Sequence, residues 1–292
     1  MASIGCFVER YNFSDPREAE ALNNFKRTAE KMGHCFQFVF RKDLSEIPKY
    51  NALFIRATTD PLYTAYVASK TAWEMGLRVI DDPESIKICG NKVHLYDLFQ
   101  AHHVPHIPTM FLTKDEFHHK RLMKVFETLG KPVVVKAPYT SFSRYVEKVA
   151  CETSFRDVAK RYFRRSDVLA VQSFMPTSFD WRVGVLNREV LYVCKYMMPK
   201  GRWKHGAKQR GKPTFVWGRT FSLKRENAPQ KLKDVALNAC DVIGRGLYGV
   251  DIKEVNGEYV VVEVNDNPSI YAGYEDCRDK DLYGKIIDFL AN

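Results

Sequence analysis

Apolar and polar positions change period along this chain, and the changes mark its elements. Residues 4–9 form a short apolar run with strand character. Asp15-Pro16 then supplies an N-cap and a first-turn proline, predicting a helix to about Met32 that Gly33 stops. Residues 36–40 and 52–56 read as strands, 61–75 as a helix and 77–80 as another strand. That alternation implies a parallel sheet covered on both faces. Asp82-Pro83 and Asn91-Lys92 open two further helices, the second running to about His102. Thr113 and Glu116 have the spacing of a capping box and predict a helix to Leu129. Residues 132–137, PVVVKA, form a buried strand with one lysine, and a helix over 154–165 leads to a strand over 168–174. A hairpin turns at Asn187-Arg188 and returns through Lys195, and helices follow over 229–245 and 281–290.

One stretch breaks the apolar rule. Residues 249–254 and 258–264 read as Val-rich strands joined at Asn256-Gly257, a strong hairpin signal. Asp251, Glu263 and Asn265 are set among these apolar residues. A carboxylate is costly to bury unless it is paired or holds a metal, and oxygen ligands of this kind suit Mg2+ or Mn2+. Side chains alternate across a sheet, so Glu263 and Asn265 share a face. A strict two-residue turn puts Asp251 on the other face. A three-residue loop, Val255-Asn256-Gly257 with Gly257 left-handed, puts all three on one face.

Composition adds limits. The 292 residues are 45% apolar and 13% aromatic, enough for a substantial core in two or three subdomains. No apolar run approaches the ~18 residues of a membrane span, and the first residues lack the blocks of a signal peptide. The seven cysteines are scattered without a C-x-x-C pair, which fits reduced thiols and a cytoplasmic protein. Five histidines between His102 and His119 match no metal-ligand pattern. The net charge of +10 is concentrated in residues 190–225, which hold ten Lys or Arg and no acid. This segment predicts a long exposed loop beside the substrate. Lys204, Lys208, Arg210 and Lys212 would steer an acidic molecule and Arg219 would lie nearest it.

VDIKEVNGEYVVVEVNDNP resembles the metal-binding hairpin of the ATP-grasp superfamily, and most closely its RimK and glutathione synthetase branch, with the pattern D…E-x-N-x-S/N-P. From about residue 36 to the C-terminus the chain is similar to a RimK-like subgroup with an SFSR flap, including LFIR and IDDPESI. The resemblance implies an α/β fold, α+β in its C-terminal part. Residues 1–100 would be a small Rossmann-like domain, 101–173 the small lobe and 174–292 the large lobe. It implies ATP and Mg2+ (or Mn2+) as cofactors. Asp251, Glu263 and Asn265 would hold the metal, and Lys92 and Lys136 the phosphates. Ser141, Ser143 and Arg144 would form a flap, which lacks the usual glycines. Gln172 and the backbone of Ser173, Phe174 and Met175 would read adenine. Asp180 would lie near the ribose or orient Arg182, with Asn267 also at the nucleotide. Arg182, Lys195 and Arg219 would serve catalysis.

The activity implied is ATP-dependent carboxylate–amine ligation through an acyl phosphate. An amino acid, often glutamate, would join an acidic peptide or small acid. Two other readings stand beside it. One is a non-catalytic nucleotide sensor, suggested by the glycine-free flap. The other, less favoured, is nucleic-acid binding through Trp203, Trp217 and the basic segment. Oligomeric state, homo-oligomers included, stays open.

Overall fold

The computed structural model describes residues 1–139, 144–208 and 215–292. Its fold is mixed α/β, built on three principal sheets. The first contains β1 (Ser3–Phe7), β2 (Cys35–Val39), β3 (Ala52–Ile55) and β4 (Arg78–Ile80), all parallel, in the order β2-β1-β3-β4. Helices α1 (Pro16–Lys31) and α2 (Thr64–Glu74) make two of its three crossovers, and the 3-10 segment Arg41–Lys49 makes the other. Asp15 caps α1 as expected, accepting from the Arg17 N–H at 2.9 Å.

Helices α3 (Pro83–Gly90) and α4 (Lys92–Ala101) lead to a second, antiparallel sheet. It comprises β5 (Thr109–Thr113), β6 (Val133–Lys136), β7 (Val146–Val149) and β8 (Val168–Ser173) in the order β5-β8-β6-β7. Helices α5 (His119–Leu129) and α6 (Glu152–Tyr162) cover one face. Half of the capping box at Thr113 forms, with the Glu116 N–H donating to Thr113 Oγ1 at 3.3 Å and the Thr113 hydroxyl donating to the Glu116 carboxylate. It closes a turn at the end of β5 rather than a helix. α5 begins five residues later than Thr113 implied, capped by His118.

The third sheet runs β13-β10-β9-β14-β15. Its members are β9 (Phe179–Leu186), β10 (Glu189–Met197), β13 (Thr220–Leu223), β14 (Leu247–Val255) and β15 (Glu258–Asn265). Between β10 and β13 lies a small ribbon, β11 (Gly206–Lys208) with β12 (Phe215–Trp217). Helix α7 (Gln230–Asp241) packs on the face that carries Trp181, Val183, Val250 and Ile252. Helix α8 (Leu282–Ala291) returns to α1, where Tyr283 meets Phe25 edge-on at 4.8 Å. Burying an aromatic of this size contributes up to about 3 kcal/mol. α8 thus ties the C-terminus to the first sheet.

The turn between β14 and β15 differs from the expectation. Val255 pairs with Glu258, so the turn is the two-residue Asn256-Gly257, with φ of 53° and 79°. Both residues are left-handed, as a type I′ turn requires. The extra residue lies deeper in the hairpin. Ile252 faces Val261 while Asp251 faces Glu263, leaving Val262 bulged.

No helix among the described residues is long and apolar enough to cross a membrane.

Candidate active site

Parity and the Val262 bulge together set one row across the third sheet. Glu263 lies opposite Asp251, Asp251 opposite Arg182, and Arg182 opposite Cys194. Gly249 lies opposite Asn265, which places Asn265 on the same face. Gly249 permits the crowding there, because a Cβ would sit 2.6 Å from Pro268 and 3.1 Å from Arg182 Nη1. The metal-type triad is therefore on one face, by a bulge rather than by a longer turn.

Arg182 donates to Asp251 through Nε at 2.5 Å and Nη2 at 2.9 Å. Asn265 Nδ2 reaches the Gly249 carbonyl at 3.2 Å and Asp251 Oδ2 at 3.4 Å. Burial pushes the Asp251 carboxyl up to about 6, Arg182 pulling it down and Glu263 adding to the rise. Burial also acts to raise Glu263, but Lys92, Lys136 and Arg182 outweigh it and hold that carboxyl below its usual range.

Two lysines from other elements complete the electrostatics. Lys92 opens α4, where Asn91 caps the helix and the Lys92 N–H binds the Pro138 carbonyl at 3.1 Å. Lys136 ends β6 and donates to the Tyr96 hydroxyl at 2.8 Å. Both are buried. Burial brings Lys92 down to about 8 and lowers Lys136, Glu263 opposing the shift in each. Tyr96 lies one helical turn after Lys92 and donates to the Val262 carbonyl at 2.7 Å. It links Lys136 to the bulge. Lys253, on the Asp251 face of β14, donates to Asp180 Oδ1 at 2.6 Å. Lys92, Lys136 and Arg182 thus converge on Glu263, and Arg182 and Lys253 brace Asp251 and Asp180 respectively, a gathering of cations suited to an added anion.

The triad fits a divalent cation in chemistry. Two half-buried carboxylates stand face to face beside an amide oxygen, all hard donors. Among the described residues no group of three His, Cys, Asp or Glu could hold a metal by itself. A bound ion would therefore draw its remaining ligands from phosphate and water, as Mg2+ does.

Other expected residues lie elsewhere. Lys195 is a correction: it sits between Cys194 and Tyr196 and points to the α7 face, its Nζ 4.4 Å over Phe179 and 4.5 Å over Trp181. Strict alternation along β10 turns it away from Arg182. Asp180 does not orient Arg182, because Asp251 does. Gln172 is buried on the cleft face, but its Nε2 is spent on Thr109 Oγ1 at 2.9 Å. The N–H groups of Ser173 and Phe174 bind the Pro108 and Pro132 carbonyls at 3.0 and 3.3 Å. Met175 is half-buried just beyond them. Asn267 Nδ2 donates to the Ala57 carbonyl of the first sheet at 2.7 Å. Arg219 is exposed where the chain enters β13, at the sheet edge away from β15. Arg144 is exposed, and Ser141, Ser143, Arg210 and Lys212 lie outside the described residues.

Lys204 is not a solvated steering charge. Its Nζ donates to the Val146 carbonyl at 2.6 Å, and burial brings it down to about 8. Trp203 meets Phe174 edge-on at 5.8 Å, with Lys148 4.3 Å over Phe174. This part of the basic segment is a strap from the third sheet onto the second, and it removes Trp203 from display to nucleic-acid bases.

Residues 98–272 match the family described as "D-ala D-ala ligase C-terminus". The chain belongs to this family and is an ATP-grasp ligase. It is 23% identical over 256 residues to a glutamate–LysW ligase of Sulfolobus acidocaldarius, covering 84% of this chain and 83% of that protein. The RimK domain ATP-grasp protein of Sphaerobacter thermophilus superposes with a TM-score of 0.70 at 17% identity, over 100% of both chains. The D-alanine–D-alanine ligase of Bacillus anthracis complexed with ATP gives 0.69 at 15% identity, over 99% of this chain and 96% of that one.

Tyr96, Lys253 and the Trp203 strap were not expected. Lys253 had a signal, its parity with Asp251 in VDIKEV. Tyr96 had a weaker one, its spacing from Lys92. The strap had none, because its partners lie in another sheet.

Proposed function

We propose that this ATP-grasp ligase joins the amine of an amino acid, glutamate or a close analogue, to the carboxylate of an acidic peptide or small acid. The γ-phosphoryl group of ATP passes to a carboxylate oxygen, giving an acyl phosphate and ADP. The amine nitrogen then attacks the acyl carbon, phosphate leaves, and the nitrogen loses a proton as the amide forms. The observation that carries this reading is the Asp251–Glu263 pair, held opposite one another and facing Lys92, Lys136 and Arg182. Asp251, Glu263 and Asn265 would hold Mg2+ or Mn2+, which supplies charge neutralisation at the phosphates.

The remaining roles belong to the chain. Lys92 and Lys136 hold the polyphosphate, and Tyr96 fixes Lys136. Arg182, braced by Asp251, offers positive charge where the acyl phosphate develops. Adenine lies against the strand end at Ser173 to Met175, read by carbonyls and Met175 because the Ser173 and Phe174 N–H groups are committed. The Trp203 strap covers that end. The glutamate-linked relative supports the amino-acid class, and a carrier protein of the LysW kind is one form the acidic partner takes in this reading. Seven unpaired cysteines suit a cytoplasmic setting.

The test is mass spectrometry after incubating the protein with ATP, Mg2+, amino acids and a panel of small acids and acidic peptides. A product at the summed mass less one water, with ADP, is expected. ADP without any condensed product across the panel would overturn the substrate class.

A further inference from the structure

The carboxyl ends of β1 and β3 border a crevice that the reaction described above leaves unused. In the parallel order β2-β1-β3-β4 the winding direction reverses between β1 and β3. Such a reversal opens a ligand-sized gap beyond the strand ends. Here the gap is a cavity of about 270 Å³, lined by Glu9, Tyr11, Arg41, Thr58, Thr64 and Arg144 among others. At ~30 Å³ per molecule it has room for about nine waters, enough for one amino acid.

Its walls come from separate parts of the chain. Tyr11 follows β1 and donates to Thr58 Oγ1 at 2.8 Å, tying the two strand ends together. Arg41 donates from Nε at 3.0 Å and Nη2 at 2.7 Å to a single Glu9 oxygen, which fixes its guanidinium. Arg144 arrives from the second sheet, just before β7, and is exposed. It makes no hydrogen bond or ion pair with any described residue. Two guanidinium groups thus meet one carboxylate, and the complement to this excess is a further carboxylate.

The crevice also adjoins the candidate metal site. Ala57, in its wall, accepts from Asn267, two residues beyond Asn265. Arg56 Nη2 donates to the Pro268 carbonyl at 2.9 Å beside that contact. The crevice wall is thus hydrogen-bonded to the chain segment that follows Asn265.

We propose that this crevice holds the amine-bearing substrate, an amino acid gripped through its carboxylate by Arg144 and Arg41 with its amine toward the Ala57–Asn267 wall. This rests on the ligase reading above. Glu9 is a positioning residue that aims Arg41, while Arg144 closes on the carboxylate from the other lobe.

The experiment uses the full chain with ATP, Mg2+ and the acid that gives product. L-Glutamate and its α-amide are compared as amines in wild type, Arg144→Gln and Arg144→Lys. Arg144 is exposed and unpaired among the described residues, so its replacement is expected to leave folding intact. Arg144→Gln is expected to raise the KM for L-glutamate about 10- to 100-fold, well beyond any change in the KM for ATP, with Arg144→Lys recovering part of the loss. In wild type the α-amide is expected to need a higher concentration by a similar factor, and to be indifferent to Arg144→Gln. An unchanged L-glutamate KM in Arg144→Gln overturns the assignment. If no amine gives product, the ligase substrate reading has failed, and calorimetric binding of L-glutamate to the ADP–Mg2+-loaded chain decides the crevice separately. Binding that Arg144→Gln abolishes supports it, and no binding in wild type overturns it.

Discussion

Asp251 and Glu263 face each other across β14 and β15 only because Val262 is bulged from the ladder. Counting from the Asn256-Gly257 turn without that bulge sets Asp251 opposite Val262 and sends Glu263 to the α7 face. The site therefore depends on one residue of register. Its carboxylates are also the most direct target. Glu263→Gln keeps the shape and removes one charge, so the fold is expected to persist by circular dichroism. Turnover should fall by at least about 100-fold, since the ion supplies several kcal/mol of charge stabilisation. Half-saturation by Mg2+ should rise as well. Normal product formation in Glu263→Gln would remove this pair from the mechanism.

Tyr96 joins the bulge to Lys136, with one hydroxyl bonded to both. Tyr96→Phe leaves a buried ammonium and a strand carbonyl each short of a partner. Denaturant unfolding should show a loss of about 1–3 kcal/mol. ADP affinity should also weaken, because Lys136 loses the contact that aims it. Full stability and unaltered ADP binding in Tyr96→Phe would show the hydroxyl to be dispensable.

Much of this was legible in the sequence, and the failures have physical causes. Period and caps located the parallel layer, because Asp15, Asp82 and Asn91 each accept from their own first-turn N–H groups. Asp251, Glu263 and Asn265 stood out as costly residues in apolar strands. The turn was misjudged because shared chemistry demands one extra residue in the hairpin but does not say where. Lys195 was misplaced because its strand is apolar on both faces, so charge alone did not reveal which way it points. Lys204 was read as solvated because the small-lobe carbonyl it binds is 58 residues away in sequence. Local pattern carries the row on one sheet; it does not carry contacts between sheets.

The two faces of β9 and β10 give a paired test. Arg182 and Lys195 are both cations next to aromatic rings, Arg182 5.0 Å over Tyr196 and Lys195 4.5 Å over Trp181. Only Arg182 shares the Asp251 face. Arg182→Met strands the Asp251 carboxylate and is expected to cost at least about 100-fold in kcat/KM, in the range of a lost charge-assisted contact in the transition state. Lys195→Met retains the stacking stem and should alter kcat/KM by less than about threefold, with a small stability change. A large loss of kcat in Lys195→Met at normal stability would restore it to the catalytic group.

Lys92 gives the site a pH signature. Burial brings it down to about 8, Glu263 opposing the shift and Lys136 adding to it. Its charged form is the one a polyphosphate binds. In the nucleotide-free protein that form is held below pH 8 and lost above it. ADP affinity should be level at lower pH and then fall as pH rises through 8, approaching about tenfold per unit. Stability has the opposite sign. The folded pKa lies below the unfolded value of about 10.4, so between the two the unfolded chain binds more protons. The Lys92 contribution is thus unfavourable below pH 8 and is relieved as pH rises toward the unfolded pKa. Lys92→Met should consequently be at least as stable as wild type at neutral pH while binding ADP more weakly. Calorimetric titration of ADP across about pH 6.5 to 9.5, in wild type and Lys92→Met, checks both signs. A wild-type affinity that stays flat through pH 8, parallel to the variant, would place Lys92 outside the phosphate contacts.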